Sequence, residues 1–76
     1  MGIMRIVDET GDSTLTWSVE DERSVVEAAE MFTHLAAMKR LPFARAKGAP
    51  ASEAELVRQF DPEAEEIVWV RPVVGG

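Results

Sequence analysis

The residues most open to chemistry in this chain are its last two. Gly75 and Gly76 place a terminal carboxylate on a stretch without side chains, behind the strand-like run Ile67-Val68-Trp69-Val70-Arg71-Pro72-Val73-Val74. Glycine has no Cβ, so its backbone can approach another surface closely and turn freely. Fully extended, Arg71 to Gly76 spans on the order of 20 Å. A tail of that length can deliver its carboxylate into a narrow site on a second protein while the folded body stays outside.

Other candidate groups are few. His34 is the single histidine and falls on a predicted helix. A metal site needs several convergent ligands, so a surface histidine is the expected reading. Glu63, Glu65 and Glu66 could hold a cation weakly, but a run of like charges usually marks a solvated face. The absence of cysteine excludes disulfides, thiolate metal sites and a catalytic thiol together. No Ser-His-Asp order, HExxH, P-loop or GxGxxG occurs. The expectation is a protein that is not an enzyme, with no catalytic residue, no metal and no bound cofactor.

Seventy-six residues form one domain, and a chain this short buries roughly 60% of its unfolded surface. That leaves no room for an elaborate internal active site. With 46% hydrophobic and 29% charged residues, the composition is that of a soluble globular domain. The 14 acidic and 8 basic residues give a net charge of −6. This argues against nucleic acid, whose phosphates need clustered Lys and Arg. A basic protein partner fits better, and an acidic surface also serves solubility. No stretch approaches the ~18 apolar residues of a membrane span, and the first residues lack a signal-peptide core. Ile6 stands where myristoylation needs Ser or Thr, which sets aside Gly2 as an acceptor. Met1 and Met4 are both candidate starts. The expected protein is a cytoplasmic monomer with no membrane contact.

The elements that must display the tail follow from period and punctuation. Ile3 to Val7 is apolar and β-branched, and Thr14 to Val19 alternates, with Leu15, Trp17 and Val19 on one face. Asp8 to Ser13 is the turn of the predicted hairpin, where Gly11 can supply a positive φ. A helix is predicted over Asp21 to Arg40. Val25, Ala28, Ala29, Phe32, Leu35 and Ala36 form its apolar stripe, widened by Met31 and Met38. Acidic residues open the helix and Lys39 and Arg40 close it, as the helix dipole favours. Pro42 prevents continuation.

Phe43 to Ala46 reads as a short strand and Lys47 to Ala51 as a loop. Ser52 to Phe60 carries two signals. Ser52-Glu53-Ala54-Glu55 matches a capping box, whereas Leu56, Arg58 and Phe60 alternate as in a half-exposed strand. Strand is the expectation, because one helix needs a sheet of more than two or three short strands to cover. Asp61-Pro62 is a turn and Glu63 to Glu66 one helical turn. The last strand starts at Ile67, apolar on both faces as a central strand would be. Trp17, Trp69, Met4, Met31 and Met38 are assigned to the core.

The resulting order, strand, strand, long helix and three further strands, resembles the β-grasp fold of ubiquitin and of the molybdopterin and thiamine sulfur carriers. The tail Pro72-Val73-Val74-Gly75-Gly76 is similar to the Pro-Pro-Val-x-Gly-Gly endings of those carriers, departing from them at Arg71, where many have the first proline. Asp8 to Asp12 and Phe60 to Glu66 also resemble small uncharacterised bacterial and phage proteins ending in two glycines. That second likeness implies no function.

The resemblance to the carriers implies an α+β, ββαβββ β-grasp domain over residues 1–72 and a flexible tail over 73–76. It implies that an adenylating enzyme joins the Gly76 carboxylate to the α-phosphate of ATP, and that sulfur or an amine then attacks the activated carbonyl. The product is a thiocarboxylate, supplied through a sulfurtransferase, or an amide on a lysine. In this scheme Val73 and Val74 dock the tail at the channel mouth and Arg71 pairs with a carboxylate of the enzyme. ATP belongs to the partner. The competing reading is a non-catalytic, acidic interaction or regulatory module, bacterial or phage, whose tail has no chemistry.

Overall fold

Local residue preferences set the chain's path. Strands form where β-branched and apolar residues alternate, and they stop where side chains offer the backbone better partners. A computed structural model describes residues 1–8 and 11–71. Its elements are β1 (Gly2–Asp8), β2 (Gly11–Trp17), α1 (Glu22–Ala37), β3 (Leu41–Ala46), a 3-10 turn (Ala51–Glu53), β4 (Glu55–Leu56) and β5 (Ala64–Val70). They build one five-stranded sheet in the order β2-β1-β5-β3-β4. β1 and β5 run parallel, and the remaining neighbours are antiparallel. This is a mixed sheet with one helix across one face, a β-grasp-like α+β arrangement. No helix among the described residues is long and apolar enough to cross a membrane.

β1 and β2 pair in unbroken register from Gly2↔Trp17 to Asp8↔Gly11. The turn is therefore shorter than Asp8 to Ser13, and β2 begins at Gly11, whose φ of +126° favours glycine. β2 also ends earlier than expected, at Trp17. Ser24 Oγ accepts from Ser18 N–H and donates to the Ser18 carbonyl, while Asp21 N–H bonds that same carbonyl and Asp21 Oδ1 caps Ser24 N–H. This network draws the chain out of the sheet and into the helix. Val19 consequently lies in a turn and is exposed, not on the buried face.

The helix closes sooner than Arg40. Lys39 sits at φ 67°, its N–H bonds the Ala36 carbonyl, and Arg40 N–H reaches back to Leu35. That is the Schellman arrangement, with lysine where glycine is usual. Met38, at the helix cap, is exposed rather than a core filler, and Ala36 is exposed too.

The core consists of Met4, Trp17, Ala28, Phe32, Leu35, Ala64, Ile67 and Trp69, with Val25, Met31 and Phe60 packed against it. An aromatic chain crosses it. Trp69 meets Phe32 edge-on at 4.8 Å between centroids, Phe32 meets Phe60 at 6.1 Å, and Phe60 meets Trp17 at 5.1 Å. Such contacts contribute about 0.5–1.5 kcal/mol each beyond their area. Gly2 makes room for this packing: a Cβ there would lie 2.2 Å from Trp17 Cζ2 and 2.8 Å from the Ala64 carbonyl oxygen.

Pro42 lies inside β3, opposite Trp69. Its carbonyl accepts from Val57 N–H, beyond the two residues of β4. The donor that proline lacks thus falls on the sparsely paired side of β3.

Two expectations change here. Residues 55–60 are not a full strand: β4 ends at Leu56, which points outward, and Phe60 turns inward beneath Trp17 and Phe32. Alternation had placed Leu56 and Phe60 on one face, and the chain leaves the sheet between them. The helical turn at Glu63 to Glu66 is absent as well, because β5 starts at Ala64. Pairing with β3 extends down to Ala46↔Ala64 through a bulge, and Arg45 holds Glu65 and Glu66 there.

Two stability outcomes follow. Lys39→Gly should raise stability by about 1 kcal/mol, since it relieves a left-handed lysine. Trp17 Nε1 donates to the Pro62 carbonyl at 3.0 Å, whereas Trp69 Nε1 is buried without a partner among the described residues. Trp69→Phe should therefore cost about 1 kcal/mol less than Trp17→Phe. Urea denaturation of the variants checks both.

Candidate functional site: the open face of the sheet

Residue alternation decides what each face of the sheet carries. Met4, Ile67, Trp69 and Ala44 face the helix. Their neighbours along each strand face the other way, where the described residues place no second layer. Across that open face the registers align Thr14, Arg5, Val68, Phe43 and Leu56 in one row, with Leu41 beside Val70 in the next. Leu41, Phe43, Leu56, Val68 and Val70 thus form a contiguous apolar patch on three adjacent strands. Leu56 is 54% exposed, and the other four are half-buried.

One side of the patch is closed by ion pairs. Arg5 Nε lies 2.6 Å from Glu66 Oε2, and Arg45 Nε lies 3.5 Å from Glu66 Oε1. Arg45 Nη1 also bonds Glu65 and the Ala49 carbonyl. Glu66 is thereby held between two guanidinium groups. The expectation that Glu63, Glu65 and Glu66 form a merely solvated face is corrected for Glu65 and Glu66. Partly exposed pairs of this kind contribute little to stability, up to about 1 kcal/mol. Their effect is on the surface: Glu66 next to the patch presents no uncompensated negative charge, although the whole chain carries −6.

Val70 is the last residue of β5, and Arg71 follows it, exposed. The chain thus leaves the sheet from its middle strand, at the end of the apolar patch. Of the residues assigned to the tail, Arg71 is described. Val73, Val74, Gly75 and Gly76 lie outside the described residues, as does Pro72. His34 is exposed on α1, and no group of three or more His, Cys, Asp or Glu among the described residues could hold a metal ion.

On the helix side, a cleft of about 610 Å³ lies between β3 and the loop before β4. Ala44, Ala46 and Ala64 are part of its lining, and Glu53, Glu55 and Asp61 stand around it. Asp61 Oδ1 accepts from Glu63 N–H. The cleft is on the side of the sheet away from the apolar patch.

What the open face can do chemically is bind. It offers apolar area bordered by paired charges. Sequence reasoning noticed Val68 and Val70 but assigned them to a strand buried on both faces, and it did not single out Leu41, Phe43 or Leu56. The overlooked signal is numerical: one helix can cover one face only. No family model matches this chain, and no curated protein or solved structure does so either.

Leu56→Ser should change stability by less than about 0.5 kcal/mol, as for other exposed sites without special contacts. Thermal and urea unfolding check this. A larger loss would place Leu56 in the folded core rather than on a free surface.

Proposed function

We propose that this protein is a ubiquitin-like carrier, a protein substrate whose Gly76 carboxylate is activated by a partner adenylating enzyme and then passed to sulfur or to an amine. The observation that carries the reading is the exit of the chain. β5 is the central strand, and Arg71 leaves it beside an apolar patch on the uncovered face. A partner seated on Phe43, Leu56 and Val68 would have the tail at the edge of its footprint. The roughly 20 Å from Arg71 to Gly76 would reach a site inside that partner.

The chemistry is a carboxylate attacking the α-phosphate of ATP, with pyrophosphate leaving and an acyl-adenylate forming at Gly76. A sulfurtransferase persulfide would then displace AMP to form an acyl disulfide, from which a second thiol, attacking the partner's sulfur and ending as a disulfide with it, would release the thiocarboxylate; an amine would instead displace AMP to leave an amide. The carrier contributes the reacting carbonyl and the docking surface. ATP and the catalytic groups belong to the enzyme. An acidic binding module is the second reading, favoured by the fact that the patch is complete without the tail.

Intact-mass spectrometry after incubation with ATP and the host's adenylating enzyme separates the two. A carrier gains mass at its C-terminus or forms a joined product. Deletion of Gly76 abolishes the change, and Leu56→Glu weakens it through a raised KM. An unchanged mass, with retained capture of a host protein by the open face, supports the binding module instead.

A further inference from the structure

The two edges of the sheet are built differently. β4 is two residues long, is preceded by a 3-10 turn, and is followed by Val57, whose N–H is taken by Pro42. β2 is seven residues long and pairs with β1 without a bulge. It contains no proline and no lysine, and Asp12 is its one charged residue. Exposed edges are ordinarily shortened, bulged or marked with Lys or Pro, because their unpaired backbone groups recruit other strands. β2 carries none of these devices.

Its free groups can be identified. Arg40 Nη1 donates to the Val7 carbonyl at 3.0 Å, so that carbonyl is turned away from β2. Val7↔Asp12 is then a pair that exchanges no ladder bonds, and alternation extends this to Arg5↔Thr14 and Ile3↔Thr16. Asp12, Thr14 and Thr16 therefore direct their N–H and C=O groups outward, and all three residues are exposed. Among the described residues, no strand lies beyond them.

Charge indicates the occupant. Asp12 stands at one end of the edge. Past the other end, at Trp17, follow Glu20, Asp21 and Glu22, all exposed. A second copy paired antiparallel about Thr14 would bring its Glu20 end towards the Asp12 end of the first, acid against acid. A strand with a basic residue at each end meets complementary charge at both.

We infer that the β2 edge is a strand-addition site for an extended, basic-flanked segment of a partner protein, bound through the outward backbone groups of Asp12, Thr14 and Thr16. The site does not depend on Gly76 and would operate whether or not the tail is activated. Backbone bonds supply the affinity, and the flanking charges fix the segment's position along the edge.

The test is a titration of the ¹⁵N-labelled full chain with the peptide acetyl-Lys-Thr-Val-Thr-Val-Lys-amide, followed by amide chemical shifts. The expected result is saturable change centred on the Asp12, Thr14 and Thr16 amides. Affinity should fall several-fold on raising the salt or in a Glu20→Gln/Glu22→Gln variant, and binding should be lost when alternate peptide amides are N-methylated. No shift at millimolar peptide overturns the site, as does equal binding of the N-methylated peptide or a response confined to Phe43 and Val68. Concentration-dependent change at the same amides without peptide would assign the edge to a second copy and overturn the proposed partner.

Discussion

The contact between Trp69 on β5 and Phe32 on α1 is the constraint from which the rest of the structure follows. With Ile67 and Met4, it buries the middle of the sheet under α1 and leaves Trp69 and Ile67 without solvent contact. In a chain this small there is no second core to compensate. β5 must therefore lie between β1 and β3, and the order of the strands is set by where the helix presses. Among the described residues the Trp69 indole N–H has no partner, a cost of about 1–3 kcal/mol that dense aromatic packing has to offset.

Burying one face of β5 leaves its other face available. Val68 and Val70 are as apolar as Ile67 and Trp69, yet they look outward with Phe43, Leu41 and Leu56. The acidic chain places Glu66 beside this patch but neutralises it between Arg5 and Arg45. The same economy of cover leaves the outer side of β2 without a paired strand among the described residues. A single helix on a five-stranded sheet thus leaves both a face and an edge uncovered among the described residues.

Much of the fold was legible in residue order. The helix, the first hairpin, the central last strand and the burial of Trp17 and Trp69 all follow from periodicity. The failures are of two kinds. Val19, Met38 and Leu56 were placed by extending a local period past the point where the chain leaves it, whereas β5 was started too late, at Ile67 instead of Ala64. The Ser18–Ser24–Asp21 network stops β2, left-handed Lys39 stops the helix, and Arg45 pulls Glu65 and Glu66 into the sheet. The open-face patch was illegible for a different reason. Its five residues come from three strands, and alternation within one strand does not say which neighbour completes the surface.

What the sequence by itself determined is the period of each element, the acidic character and the lack of cysteine. These depend on residue type and short-range spacing, which local sterics and solvation read directly. The tertiary structure alone decided that β1 and β5 run side by side, that Phe43, Leu56 and Val68 share a face, and that Glu66 sits between two arginines. Each is a juxtaposition of residues far apart in the chain. It arises because burying Trp69, Phe32 and Trp17 together lowers the free energy more than any arrangement that local preferences could specify.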